Sequence, residues 1–297
     1  MLSTLPTENL KEKPSSAFGK LFVVATPIGH MEDITLRALG TLEKVDLVAA
    51  EDTRHTRKLF ARHGISTPLI SFHDHNKEKR TPDMLGRLEA GDTIALVTDA
   101  GTPSISDPGY YLVKKALERA IPVVPIPGPS AAIAALSVSG LPSDSFVFLG
   151  FVPRKSGKRR EFLDRLQWEH RTLIFYESPK RLLGLVQTMC DVFGDRQAVL
   201  ARELTKIHEE ILRGGLRQIA KDLDGRPSLK GECTLLVSGF ERKRDMDMAT
   251  VRNYLRRLRR EKGGSLSKLA KEVAGEFGLP RQAVYEEALR IEQEYAL

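Results

Sequence analysis

Short apolar runs alternate along the chain with longer stretches in which apolar positions recur every three or four residues. "KLFVVAT" (20–26), "DLVAAED" (46–52), "TIALVTD" (93–99) and "PVVPIP" (122–127) are too short and too uniformly apolar for amphipathic helices, and read as buried strands. Helical periodicity falls between them, from about Thr35 to Leu42 and around 54–63, 81–89 and 109–119. Strands alternating with helices predict a mainly parallel sheet covered by helices. "PIPGPSAAIAALSVSG" (125–140) opens a further helix with Ser130 as its N-cap. A second series follows: strands at "SFVFLGF" (145–151), "TLIFYES" (172–178), "QAVLARELT" (197–205) and "ECTLLVSGF" (232–240), with helices near 157–168, 179–192 and 214–223. From about Arg242 the pattern is helical only. "SLSKLAKEVAGEFGLPRQAVYEEALR" (265–290) suggests a helix-turn-helix with Leu269, Val273, Val284 and Leu289 as its core. The expected organisation is a flexible leader (1–19), an N-terminal α/β domain (20–128), a C-terminal α/β domain (129–241) and a helical extension (242–297).

The polar residues concentrate where those strands end. "TPIGH" (26–30), "EDTR" (51–54), "DAGTPSISDPG" (99–109), "PGPSAA" (127–132) and "YESPKR" (176–181) all follow a strand. Ligands of open parallel sheets bind beyond the carboxyl ends of the strands, so these clusters predict one continuous rim around a cleft. Gly101 and Gly109 allow close backbone approach to a ligand, and Pro103 and Pro108 stiffen the loop so that less entropy is lost on binding. "SP" at 178–179 is a good helix start, with Ser178 as N-cap and Pro179 in the first turn. Tyr176 is placed to pack on a flat ligand, and Lys180 or Arg181 to meet a phosphate. G-x-G-x-x-G, G-x-x-x-x-G-K-[ST] and G-x-S-x-G are all absent, which removes the fingerprints of a Rossmann site, a P-loop and a hydrolase elbow.

Charge changes the picture more than composition does. The net charge is +7 over 297 residues, and "RKSGKRR" gathers Arg154, Lys155, Lys158, Arg159 and Arg160, a candidate RNA-binding stretch. "RNYLRRLRREK" (252–262) adds a basic helix. The two cysteines, Cys190 and Cys233, have no metal or disulfide spacing, and point to a reducing cytoplasm. His73 and His75 lack a third ligand, so no metal is expected. No apolar run is long enough for a membrane span and the N-terminus lacks a secretory signal, so no membrane partner is expected.

The motifs "VVATPIGHMEDITLRAL", "AEDTR", "VTDAGTPSISDPG", "PIPGPSA", "GFVPRK" and "FYESPKR" closely resemble the ribosomal RNA small subunit methyltransferase I family, of the tetrapyrrole-methylase-type (class III) S-adenosylmethionine-dependent methyltransferases. The resemblance runs from about Lys20 to Phe240. It implies two α/β domains with the cofactor, S-adenosylmethionine, in the cleft between them, usually in a homodimer. It also implies 2′-O-methylation of a cytidine in the decoding centre of 16S rRNA, on the assembled small subunit. By the same resemblance the cofactor touches Pro27 and Gly29, the loop with Asp99, Gly101, Thr102, Pro103 and Ser106, then Ser130, Ala131, Tyr176 and Thr234. His30 stands where that family commonly carries asparagine.

Methyl transfer from a sulfonium is an in-line displacement, so positioning supplies much of the rate. A ribose hydroxyl also needs a base or a hydrogen-bond acceptor. Asp52, Arg54 and Lys180 are the candidate catalytic residues: a carboxylate base that doubles as a helix cap, a phosphate clamp and an alternative base. Glu51, Asp107 and Glu177 are the other rim carboxylates. Two further readings stay open. A methyltransferase of this fold acting on a small tetrapyrrole or a protein side chain would not need the basic stretches, and an RNA-binding factor without activity would not need the whole rim.

Overall fold

The computed structural model describes residues 18–295 apart from 108, 227, 241–247, 278 and 280. The expected leader therefore lies almost wholly outside the described residues, as do Pro108, the expected boundary at 241–242, and Gly278 and Pro280 of the helix-turn-helix. The chain forms two compact units, 1–239 and 240–297.

The first unit begins with an entirely parallel five-stranded sheet: β1 (Leu21–Val24), β2 (Leu47–Ala50), β3 (Leu69–Ser71), β4 (Ile94–Val97) and β5 (Val123–Ile126), in the order β3-β2-β4-β1-β5. Helices α1 (Leu36–Lys44), α2 (Thr53–His63), α3 (Lys77–Glu89) and α4 (Gly109–Glu118) connect these strands. Successive strand residues point to opposite faces. Phe22, Val48 and Ala95 pack with Leu42 of α1 and Leu59 of α2, while Leu21, Leu47 and Ile94 pack with Leu85 of α3 and Leu112 of α4. A strand buried on both faces has no polar alternation, which is why these runs are uniformly apolar.

Helix α5 (Ala131–Ser137) leads to the second sheet: β6 (Phe146–Phe151), β7 (Thr172–Glu177), β8 (Gln197–Arg202), β9 (Glu210–Gly215) and β10 (Cys233–Val237), in the order β6-β7-β10-β8-β9. Unlike the first sheet, this one is mixed. Only β6 and β7 pair in parallel; β10 runs antiparallel to both β7 and β8, and β8 antiparallel to β9. The chain inserts its last strand between two earlier ones, a pairing that local pattern does not encode. Helices α6 (Ser156–Asp164), α7 (Pro179–Phe193) and α8 (Leu216–Asp224) cover one face through Leu163, Leu185 and Ile219, and α5 covers the other through Ala135 and Leu136.

The second unit holds α9 (Met248–Lys262), α10 (Leu266–Phe277) and α11 (Arg281–Tyr295). Leu255, Leu258, Leu269, Val273 and Val284 are buried, and the Tyr254 and Phe277 rings meet edge to face at 4.9 Å. Leu289, expected in this core, is 39% exposed; Ala288 and Ile291 fill the buried positions instead. Among the described residues no helix is long and apolar enough to cross a membrane.

Candidate functional site

All five polar clusters leave the carboxyl ends of their strands, and the loops they form enclose a cavity of about 440 Å³ within the first unit. From the first sheet it is lined by Glu51, Thr98, Asp99, Gly101, Thr102, Ile105, Ser106 and Asp107. From the second come Phe151, Tyr176, Glu177, Ala201, Leu204, Glu232 and Thr234, with Ser130 and Ala131 from the start of α5. A smaller cavity of about 220 Å³ adjoins it, lined among others by Thr26, Pro27, Gly29, His55, Asp99, Lys206 and Glu232.

The 99–109 loop is held in a conformation that unconstrained chain avoids. Gly101, Ser104 and Ser106 have φ of 85°, 73° and 66°. For the two serines this left-handed backbone is strained, at a cost on the order of 1–3 kcal/mol each. The constraint is visible. Gly101 and Thr26 exchange backbone hydrogen bonds of 2.9 and 3.1 Å, tying this loop to the end of β1. Asp107 Oδ1 accepts from the backbone N–H groups of Ser104 and Gly109, both at 2.7 Å, and folds the loop onto the start of α4. A register shift between Phe148 and Gly150 lets β6 approach from the other side: a Cβ on Gly150, whose φ is 61°, would sit 2.9 Å from Ser106 Oγ.

Four carboxylates line the larger cavity besides Glu232. Thr98 Oγ1 donates to Glu51 Oε2 at 2.6 Å, and the Asp52 N–H donates to Asp99 Oδ1 at 3.0 Å. Burial raises the Asp99 carboxyl above its usual range, and the negative charge of Glu51 raises it further. Burial likewise pushes Asp107 up. Glu177 is almost wholly enclosed: its Oε1 accepts from the Ser178 N–H at 2.7 Å and is ion-paired with Arg181. Glu177 Oε2 and Asp107 Oδ2 are buried with no partner in the protein. Tyr176 packs edge to face on Phe148 and Phe151, at 5.0 and 5.8 Å. Its hydroxyl accepts from the Ala132 N–H at 3.2 Å, and burial raises its pKa.

Of the expected cofactor residues, Asp99, Gly101, Thr102, Ser106, Ser130, Ala131, Tyr176 and Thr234 line the larger cavity, and Pro27 and Gly29 line the smaller. Pro103, within the same loop, is buried and lines neither cavity. Glu51, Asp107 and Glu177 line the larger cavity, whereas Asp52, Arg54 and Lys180 line neither. Asp52 does cap α2, accepting from the Arg54 N–H at 2.8 Å, and hydrogen bonds from the Arg54 side chain hold its carboxyl well below the usual range. Lys180 is exposed at the start of α7. Arg181, expected at a phosphate, is instead paired with Glu177. Ser130 and Ser178 occupy N-cap positions, but neither makes a side-chain cap. Ser178 Oγ accepts from Arg181 Nε at 3.2 Å instead.

Four of the five basic residues at 154–160 are exposed at the start of α6; Arg159 is half buried. His30 accepts from the Glu32 N–H at 3.3 Å and caps the short helical turn 31–33. The sequence reading missed Ile105, Phe151, Leu204 and His55 as wall residues. Leu204 belongs to "ARELTK", another strand-end cluster, and that position was the available signal. Among the described residues no group of three His, Cys, Asp or Glu side chains is placed to hold a metal ion.

Residues 20–220 match the family described as tetrapyrrole (corrin/porphyrin) methylases. A ribosomal RNA small subunit methyltransferase I of Synechocystis is 47% identical over 278 residues, covering 92% of this chain and 99% of that one. The protein of the same name from Pseudomonas aeruginosa is 52% identical over 228 residues, covering 75% and 80%. The fold is also similar to that of the Thermus thermophilus uroporphyrin-III C-methyltransferase solved in complex with S-adenosylhomocysteine. That likeness has a TM-score of 0.52 at 19% identity, over 73% of this chain and 97% of that one. The chain therefore belongs to the tetrapyrrole methylase family, grouping within it with the ribosomal RNA small subunit methyltransferases I, and is a methyltransferase.

Proposed function

We propose that the protein transfers a methyl group from S-adenosylmethionine to the 2′-oxygen of a cytidine ribose in the decoding centre of 16S rRNA, on the assembled small subunit, as a cytoplasmic homodimer. Ribosomal RNA as the substrate class rests on the names of the relatives. The ribose position, the nucleotide and the assembled subunit rest on the motif resemblance, and the exposed basic stretch at 154–160 supports a polyanionic partner.

The larger cavity carries the assignment of the donor. Glu177 Oε2 and Asp107 Oδ2 are buried acceptors that nothing in the protein answers, and such groups cost on the order of 1–3 kcal/mol each while unpaired. A ligand with a sulfonium, an ammonium and ribose hydroxyls supplies the cations and donors they lack, so the residues present fit S-adenosylmethionine. When bound, it contributes an electrophilic methyl group. Asp99, Gly101, Thr102, Ser106, Ser130, Ala131 and Thr234 would hold it, and Tyr176 gives one wall a flat apolar surface. The hydrogen bonds that tie Gly101 to Thr26 and Ser104 to Asp107 hold the backbone here before a ligand arrives, which lowers the entropy lost on binding.

The test is transfer of labelled methyl from S-adenosylmethionine to assembled small subunits and to naked 16S rRNA, with nuclease digestion and mass spectrometry locating the label. Ribose label on assembled subunits is expected. Label only on a base atom, or transfer only to a small tetrapyrrole, would overturn the reading.

A further inference from the structure

We propose that the smaller cavity is the acceptor subsite, and that His55 on its wall takes the proton of the ribose hydroxyl that becomes methylated. The assignment rests on the function proposed above and supplies the proton acceptor that Asp52 and Lys180, outside both cavities, do not provide.

The two cavities meet along Ile28, Thr98, Asp99, Ala100 and Glu232, so a group in the smaller one lies next to a donor in the larger. The first turn of α2 forms part of the wall of the smaller cavity alone, through His55 and Thr56. Four titratable groups line the smaller cavity: His55, Asp99, Lys206 and Glu232. Lys206 is a cation held by Glu203 at 2.9 Å and Glu232 at 3.1 Å, which also occupies Glu232. Asp99 has one oxygen committed to the Asp52 N–H. His55 is exposed on the cavity wall and carries a ring nitrogen able to accept a proton. Lys58, exposed one turn on from His55, suits a phosphate that flanks an incoming ribose.

The step balances. The ribose O–H bond breaks, and its proton goes to the imidazole. The oxygen forms a bond to the methyl carbon while the sulfur–carbon bond breaks, and the sulfur keeps that electron pair as a neutral thioether. The exposed imidazolium returns its proton to water, with Asp99 as a counter-charge across the cavity.

His55→Ala in the full chain, assayed on assembled small subunits, should lose about 10²- to 10⁴-fold in turnover. Affinity for S-adenosylhomocysteine, read by calorimetry, should stay within about twofold, because a group acting only on the acceptor leaves donor binding alone. Added imidazole should restore part of the rate, which a merely structural loss would not allow. Carbethoxylation of His55, mapped by mass spectrometry, should be blocked by small subunits and not by S-adenosylhomocysteine. Turnover within about threefold of the unaltered protein, a loss that imidazole does not touch, or protection by S-adenosylhomocysteine alone would each overturn the proposal. A collapse in Asp99→Asn with His55→Ala still active would move the proton to Asp99. If the unaltered protein labels no ribose, the function proposed above fails first and this assignment with it; a defect-free His55→Ala beside an active parent sinks this assignment alone.

Discussion

Glu177 is enclosed, and only its Oε1 is answered within the protein, by Arg181 and the Ser178 N–H. Breaking a buried pair by removing one member costs about 3–5 kcal/mol, less where the partner reaches water. Arg181 is 27% exposed, so Glu177→Gln should lower stability by about 2 kcal/mol in urea unfolding. It should also weaken donor binding about tenfold in calorimetry, one lost charge-assisted bond. Gly150→Ala tests the loop from its other side. Left-handed backbone costs a residue with a Cβ about 1–2 kcal/mol, and the added carbon would meet Ser106 Oγ. Reduced stability and weaker donor binding together are expected; unchanged donor affinity would mean that the 99–109 loop is not set by this contact. Asp99 and Asp107 give a pH signature. Their raised pKa values mean that each binds its proton more tightly in the folded chain. What stability this gives is complete below the ordinary carboxylate range and fades as pH rises through the shifted values. Donor binding runs the other way, since a cation wants both groups ionised. Affinity measured against pH should fall on acidification before the ordinary range is reached, and Asp107→Asn should move that fall. Asp107 and Glu177 were legible in the sequence because they stand at strand ends among glycine and proline. His55 was not, because within "TRHTRK" it reads as one more solvated position on a basic helix.

At the scale of elements, the first sheet was legible and the second only in part. Strands β1, β2 and β4 declare themselves as apolar runs because both faces are covered, and the edge strand β5 shows as a run of its own although Pro125 is exposed. Strand β3 is three half-buried residues, and β9 reads "EILRGG", with charge and glycine where a buried strand would have neither. Edge strands need no second apolar face, so hydrophobic periodicity passes over them. The pairing of β10 between β7 and β8 is long-range, and no local signal records it. An ion-pair cluster helps hold the β9 edge. Glu210 accepts from Arg202 Nε at 2.9 Å and from two nitrogens of Arg226 at 2.7 Å. Those hydrogen bonds, Arg226 first and then Arg202 against the opposing effect of burial, lower its pKa to about 2. The sign follows: the contribution is whole above the ordinary glutamate range and is lost as pH falls from there to about 2. Glu210→Gln should lower stability by about 1–2 kcal/mol at pH 7, after discounting for partial exposure, and should narrow its gap to the parent as the solution is acidified. A gap independent of pH would exclude this cluster as the cause.

For the whole molecule, charge and topology have separate consequences. A net charge of +7 draws any polyanion, and specificity has to come from where the cations stand. Replacing Arg154, Lys155, Lys158 and Arg160 by glutamine should flatten the salt dependence of small-subunit binding, by about 0.7 in log–log slope for each phosphate no longer neutralised. Donor affinity should not change, because none of the four lines either cavity. A chain ending at Gly239 keeps every lining residue of both cavities, and should fold and bind S-adenosylhomocysteine as the full chain does. Loss of donor binding on that truncation would show that the helical unit is needed to build the site. The late insertion of β10 also sets a timetable for a chain leaving the ribosome. All five strands of the first sheet are complete by residue 126, so that half can close early. The second sheet cannot, because the slot between β7 and β8 waits for residues 233–237, and Cys233 and Thr234 of that strand form part of the larger cavity's wall. A nascent chain stalled short of that strand thus carries two unpaired inner edges and no complete binding site. With the donor placed as proposed, competence to bind it arrives only when synthesis of the first unit is all but finished.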